Sequence, residues 1–206
     1  MDKMRRTLIA AFAAALAPAP LALRAQDAGY TTLRTELPVE TKGKIEVAEF
    51  FWYGCIHCYN LEPKIETWLK TLPKDVEFRR VPAVFNERWA HDAAIFYTFE
   101  ALGLLDKLHR PFFDAIHRDR LRTDNAQALS AWLQKQGVDA KKFETTLKSF
   151  GVQSKTKRAI RMTTAYKIDG TPAMTVHGRY VVPSSEAILD SVNRLVAAVR
   201  KNGIAK

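Results

Sequence analysis

The chain has 206 residues, of which 47% are hydrophobic, and a formal charge of +10 at pH 7. This length and composition allow a substantial core, so the chain does not need disulfides to hold a small fold together. Lys and Arg are dispersed along helical stretches such as 141–161. The positive charge therefore predicts a solvated helical surface and argues against a nucleic-acid-binding protein.

The first 25 residues have the pattern of a secretory signal peptide. A basic start is followed by an Ala- and Leu-rich run over 8–23, and Ala25 offers a small residue at a cleavage site (the basic residues are Lys3, Arg5 and Arg6). An uncleaved membrane anchor is the alternative, which the short run and its two prolines disfavour. We predict that the chain is exported, with the cleavage site left open.

The first predicted strands and helix surround a Cys-x-x-Cys motif. A short strand is possible over 30–33, and a buried strand rich in β-branched and aromatic residues is predicted over 45–51. After Gly54 the apolar residues repeat with a helical period, so the motif opens a helix that Pro63 should kink. A further strand is predicted over 76–81 and ends before Pro82.

Every signal from 86 to 168 is helical, and five helices are expected there. Pro111 leaves the start of the second helix uncertain, whereas Asp124 and Asp139 can cap the third and fourth. The fourth helix is predicted to carry one apolar stripe before Gly151, formed by Phe143, Leu147 and Phe150.

The sheet is predicted to resume over 173–176 and 180–182, joined by a hairpin at 177–179. A final helix, which Ser184 can cap, follows. Strands and helices in this order predict an α/β layered fold with an inserted all-helical domain.

The motif Cys55-Ile56-His57-Cys58 holds the only two cysteines of the chain. Disulfide exchange requires an exposed, ionised sulfur, and a helix N-terminus favours an anion, so Cys55 is predicted to attack. Cys58, one turn later, is predicted to face inward and resolve the mixed disulfide. His57 can stabilise the Cys55 thiolate through its ring, and Trp52 and Tyr53 are expected to shape an apolar rim around the dithiol.

Other uses of the two cysteines fit the sequence less well. A structural staple closing four residues would stabilise the fold by only about 2 kcal/mol. Zinc would require two more ligands, and the remaining histidines are scattered, which indicates surface or packing positions (His91, His109, His117 and His177). Covalent haem attachment requires a histidine at position 59, which is Tyr. We therefore expect no metal and no cofactor other than a redox-active Cys55–Cys58 disulfide.

Two stretches resemble the DsbA family of periplasmic thiol:disulfide oxidants: Glu49-Phe-Phe-Trp-Tyr-Gly-Cys-Ile-His-Cys-Tyr59 and Gly170-Thr-Pro-Ala-Met174. The resemblance covers nearly all of the chain after the signal. It implies a thioredoxin fold formed by 26–85 and 169–206, with an inserted helical domain over 86–168. It also implies oxidation of reduced, newly exported proteins and re-oxidation by a quinone-coupled membrane oxidant of the DsbB type.

The resemblance also implies roles for residues outside the motif. Thr171-Pro172 would be a cis peptide bond beside the dithiol that presents a backbone edge to substrate. Glu49 would be a buried acid that shuttles a proton for Cys58. Two departures from the family pattern matter: Ile56 replaces the usual Pro, which leaves the reduction potential open, and the basic partner of Glu49 could be Arg79 or Arg80.

Two competing functions stay open at this point. A disulfide isomerase or reductase, kept reduced by a membrane donor, would use the same dithiol. Such isomerases typically dimerise through an N-terminal module, for which 26–44 is too short, so a monomer is expected. A redox-inert chaperone that binds unfolded chains through the apolar rim is the other alternative.

Overall fold

A computed structural model describes residues 29–203 of the chain. The predicted signal peptide and its cleavage site lie outside the described residues. Within 29–203, no helix combines the length and the apolar character needed to cross a membrane.

Five strands in the described part of the chain form one mixed sheet, in the order β1-β5-β4-β2-β3. In this sheet β2 and β3 pair in parallel, and the other three pairs are antiparallel. The strands are β1 (Thr31–Thr32), β2 (Ile45–Phe51), β3 (Val76–Pro82), β4 (Ala173–Val176) and β5 (Tyr180–Val182).

Seven helices of residues 29–203 flank this sheet, and five of them follow one another between β3 and β4. They are α1 (Ile56–Leu69), α2 (Glu87–Ala101), α3 (Leu105–His117), α4 (Ala126–Lys135), α5 (Ala140–Leu147), α6 (Phe150–Ala165) and α7 (Ile188–Asn202). The predicted α/β class and the order of the elements are confirmed.

The central strand β2 is buried along its whole length. Successive side chains of a strand point to opposite faces, and both faces of β2 are covered. Ile45 and Val47 pack in a cluster with residues of α1 and α7, whereas Ala48 and Phe50 belong to a second cluster with the helices α2 to α6. A strand covered on both faces reads as a continuous apolar run, which is why Glu49 within it is conspicuous.

The hairpin between β4 and β5 also holds the start of the described chain. His177 and Gly178 both have positive φ, at 49° and 68°, and the Arg179 N–H donates to the Val176 carbonyl at 3.1 Å. Because Val176 pairs with Tyr180, residues 177–179 form a three-residue hairpin loop. The Leu37 N–H donates to the Gly178 carbonyl at 2.8 Å, and a Cβ at Gly178 would overlap the Leu37 carbonyl oxygen. Only glycine therefore fits this position.

Several predicted helix boundaries were wrong. Asn125, not Asp124, caps α4 by accepting the Ala128 N–H at 2.9 Å, and Asp124 instead pairs with Arg122 and Arg88. The predicted cap at Asp139 is confirmed. Both Asp and Asn suit an N-cap equally well, so composition could not choose between neighbours.

The predicted apolar stripe through Phe150 was also wrong. The helix α5 ends at Leu147, and Ser149 caps α6, so Phe150 begins a new helix and its side chain is 88% exposed. At the chain end, Ser184 does not cap α7, which begins at Ile188 without a side-chain cap. Pro82 is the last residue of β3 rather than the first beyond it.

Candidate active site

The dithiol motif begins at the turn that leads from β2 into α1. The Cys55 N–H donates to the Trp52 carbonyl at 3.0 Å, which closes the turn, and Cys55 is the N-cap of α1. Its sulfur accepts the Cys58 N–H at 3.4 Å. A Cβ at Gly54 would overlap the Trp52 ring, so the turn requires glycine before the first cysteine.

Cys55 is the sulfur that ionises. The pKa of Cys55 is lowered to about 5, and the main cause is a hydrogen bond from the Cys58 thiol. Burial acts in the opposite direction and raises this pKa. Hydrogen bonds from the Thr171 side chain and from the Cys58 and His57 N–H groups lower it further. The helix N-terminus supplies these unpaired N–H groups. The half-buried Cys55 is therefore a thiolate at neutral pH.

Cys58 has the opposite character, as the sequence predicted. It is fully buried in the reduced dithiol. Burial, then the hydrogen bond to Cys55, then the charge of Glu49 raise the pKa of Cys58 far above that of an ordinary thiol. Cys58 therefore keeps its proton and donates it in a hydrogen bond to the Cys55 sulfur.

His57 lies on the exposed side of the first turn of α1. Among the described residues, no hydrogen bond joins its ring to Cys55, whereas its backbone N–H is one of the donors that lower the pKa of Cys55. The predicted role of the ring therefore stays a prediction.

Glu49 is fully buried on β2, and its carboxylate oxygens have no hydrogen-bond partner among residues 29–203. Burial is the main cause that raises the pKa of Glu49 to about 8, and the charge of Glu62 adds to it, whereas Arg80 lowers it. The register of the sheet sets Arg80 directly beside Glu49, with Nε 3.5 Å from the carboxylate. Of the two candidate bases, Arg80 is thus the one that faces Glu49, and Arg79 pairs with Glu40 and Glu46.

A buried polar network next to Glu49 was missed in the sequence. Arg80 binds both carboxylate oxygens of Glu62, at 3.1 and 2.8 Å. His109 contacts Glu62 through Nε2 at 3.1 Å and the Tyr53 hydroxyl through Nδ1 at 2.9 Å. Although burial opposes ionisation, the bonds from His109 and Arg80 lower the pKa of Glu62. Glu62 lies one turn after Cys58, a spacing that could have revealed it, but His109 carries no such signal.

Arg80 therefore interacts more strongly with Glu62 than with Glu49. Its guanidinium makes a bidentate pair with Glu62, the stronger geometry, and only approaches Glu49. Glu49 is thus left without a full counterion and is protonated at neutral pH, close to the buried sulfur of Cys58.

The apolar rim differs in part from the prediction. Tyr53 is 1% exposed and belongs to the core, so its assignment to the rim was wrong. Trp52 is half-buried and stacks on Trp89 with ring centroids 4.3 Å apart. Together with Ile56 and Phe85, which are 48% and 44% exposed, these rings form an apolar surface next to Cys55.

The segment before β4 approaches the dithiol from the opposite side. The peptide bond Thr171-Pro172 is cis, as predicted. The Thr171 carbonyl oxygen lies 3.3 Å from the Cys55 sulfur. Residues 116 positions apart in the chain therefore meet at Cys55. In the part of the chain that the structure describes, no group of three or more His, Cys, Asp or Glu residues is arranged to hold a metal ion.

Known proteins resemble this chain in sequence and in fold. A family model described as a DSBA-like thioredoxin domain matches residues 76–195. The thiol:disulfide interchange protein DsbA of Bordetella bronchiseptica is 44% identical over 179 residues, which cover 85% of this chain and 84% of that protein. The protein of the same name from Azotobacter vinelandii is 42% identical over 168 residues, which cover 82% and 77%.

Solved structures show the same relationship in three dimensions. The crystal structure of Pseudomonas aeruginosa DsbA superposes with a TM-score of 0.80 at 35% identity, covering 84% of this chain and 93% of that one. The oxidoreductase NmDsbA1 of Neisseria meningitidis has a TM-score of 0.75 at 29% identity, covering 85% and 94%.

Proposed function

The chain belongs to the DsbA family of thiol:disulfide oxidoreductases and has its thioredoxin-like fold, and from this we propose that it donates its Cys55–Cys58 disulfide to reduced, newly exported proteins. The observation that carries this direction is the contrast between the two sulfurs. A stabilised Cys55 thiolate favours the open dithiol over the disulfide, so the disulfide is readily given away.

The size of this effect follows from the pKa of Cys55. Lowering the pKa from 9.0 to about 5 would favour the dithiol by about 2.7 kcal/mol at pH 7, and for a two-electron couple this is about 60 mV. Because the sulfur is only half-buried, solvent screening reduces the effect to about 1–2 kcal/mol. Even this smaller free energy shifts the reduction potential in the oxidising direction.

The proposed reaction has two exchange steps. A substrate thiolate attacks the Cys55 sulfur, the Cys55–Cys58 bond breaks, and Cys58 leaves as a thiolate. A second substrate thiolate then attacks the substrate sulfur of the mixed disulfide and releases the Cys55 thiolate. The substrate loses two electrons and gains a disulfide, and the dithiol of the protein receives those electrons.

Glu49 is proposed to supply the proton that Cys58 takes up when it leaves. Its pKa of about 8 makes it a neutral acid at pH 7, and the pKa of Cys58, which is raised well beyond that of Glu49, makes the transfer favourable. His57 is proposed to assist the Cys55 thiolate. Thr171 and Pro172 are proposed to present a backbone edge to the extended substrate.

We propose the cellular setting from the family and the signal-like start of the chain. The protein would be exported to the periplasm, act there as a monomer, and be re-oxidised by a quinone-coupled membrane partner of the DsbB type. Its thioredoxin-like domain would comprise 26–85 and 169–206, and 86–168 would be the inserted helical domain. The position of α2 to α6 between β3 and β4 supports this division.

Equilibration of the purified protein with reduced and oxidised glutathione tests the direction of exchange. We expect a potential that is more oxidising, and therefore less negative, than the thioredoxin value of about −270 mV. The thiolate absorbance of Cys55 should titrate near pH 5, and Cys55→Ser should lose this titration. A thioredoxin-like potential, or titration near the free-cysteine value of about 8.5, would instead support the reductase.

A further inference from the structure

Asp92 on α2 is a buried carboxylate that touches the turn before the dithiol. It is 2% exposed. One oxygen accepts the Trp52 Nε1–H at 2.7 Å and lies 3.4 Å from Arg88 Nε, and the other accepts the Thr123 hydroxyl at 2.5 Å. A buried charge is tolerated when it is fully hydrogen-bonded, and here the donors come from the active-site turn, from α2 and from the loop after α3.

The partner of Asp92 is itself part of the active-site turn. The Trp52 carbonyl accepts the Cys55 N–H, and the Trp52 ring fills the space that a Cβ at Gly54 would need. The ring also stacks on Trp89, with an interplanar angle of 12°. The indole is therefore held by three contacts: Gly54, Trp89 and the hydrogen bond from its Nε1–H to Asp92.

We propose that Asp92 is a positioning residue for the dithiol, because it fixes the Trp52 indole and with it the turn that sets Cys55 at the N-terminus of α1. The hydrogen bonds to the Cys55 sulfur depend on distance and angle. If the indole were released, the turn could relax, and the donors of α1 would align less well with the sulfur. The helices between β3 and β4 would in this way control the reactivity of a cysteine that lies outside them.

The proposal rests on the thiolate role of Cys55, and the absorbance titration of the full protein tests both separately. Asp92→Ala removes the acceptor and should raise the titration midpoint of Cys55 by about one pH unit. Asp92→Asn keeps an acceptor for the Trp52 N–H and should leave the midpoint near its wild-type value. If Asp92 acted only through its charge, Asp92→Asn would instead lower the midpoint, and the proposal would be wrong.

Trp52→Phe removes the same hydrogen bond from the other side and keeps an aromatic ring on Trp89. It should raise the midpoint about as much as Asp92→Ala does. Trp52→Phe also tests the proposal if Asp92→Ala does not fold. In the Trp52→Phe background, Asp92→Ala should cause no further shift, because the two residues act through one contact.

Three further outcomes would overturn the positioning role. The shifts of the two single variants could add in the double variant, Asp92→Ala could lower the unfolding temperature without moving the midpoint, or Trp52→Phe could leave the midpoint unchanged. A wild-type midpoint near 8.5 would have a different meaning, since it would refute the proposed oxidant function itself.

Discussion

The ionised thiol of Cys55 should contribute to the pH dependence of the stability of the reduced protein, and Cys55→Ser should remove this contribution. The pKa of Cys55 is about 5 in the folded protein against 9.0 ordinarily. A pKa that is lower in the folded state contributes stability that is fully present above the unfolded pKa. This stability is lost as the pH falls through the folded pKa.

The expected magnitude follows from these two pKa values. Without screening, the thiolate would stabilise the folded state by about 2.7 kcal/mol at pH 7 and by only about 0.4 kcal/mol at pH 5. Since Cys55 is half-exposed, solvent screening reduces the difference. We expect about 1–2 kcal/mol between pH 5 and pH 7.

Urea denaturation of the reduced wild type and of reduced Cys55→Ser, at several values between pH 5 and pH 8, measures this difference. Serine does not ionise in this range, and its oxygen can still accept the Cys58 N–H. Glu49 contributes with the opposite sign, because the pKa of its carboxyl is raised, but it is present in both proteins. A difference between the two proteins that stays constant from pH 5 to pH 8 would refute the thiolate argument.

Three further substitutions test the surroundings of the dithiol. Burial raises the pKa of the Glu49 carboxyl to about 8, so Glu49→Gln should stabilise the protein against urea above pH 8. The same substitution should slow reduction of the disulfide near pH 7, and an unchanged rate would remove Glu49 from the mechanism. Arg80→Met should lower the free energy of unfolding by about 3–5 kcal/mol, because it removes the bidentate cation of the buried Glu62 carboxylate. A loss below about 1 kcal/mol in the same assay would contradict this pairing. Gly54→Ala should lower the free energy of unfolding by about 1–3 kcal/mol and alter the near-ultraviolet circular dichroism of Trp52. Gly151→Ala is the control, because a Cβ there meets no atom within 4 Å. Equal effects of the two substitutions would rule out the steric argument.

Local signals in the sequence determined the parts of this protein that depend on near neighbours in the chain. The apolar run of β2, the helical period after Gly54 and the two cysteines three positions apart predict a strand, a helix and a dithiol at the helix start. These features arise from backbone geometry and from the period of side-chain direction, which are properties of short segments. The stretch around Pro172 was assigned to the site only through the family resemblance, because nothing local links it to Cys55.

The tertiary structure alone decided which distant groups face each other. Arg79 and Arg80 are adjacent, and their side chains point to opposite faces of β3, so only the register with β2 assigns Arg80 to Glu49. His109 and Asp92 lie on helices that follow β3, and they contact Glu62 and Trp52, which are 47 and 40 residues away in the chain. The local sequence of a helix does not show which distant segment will pack against a given side chain. The sequence therefore predicts the reacting sulfurs, and the packing of the helices against the sheet determines the charges and hydrogen bonds around them.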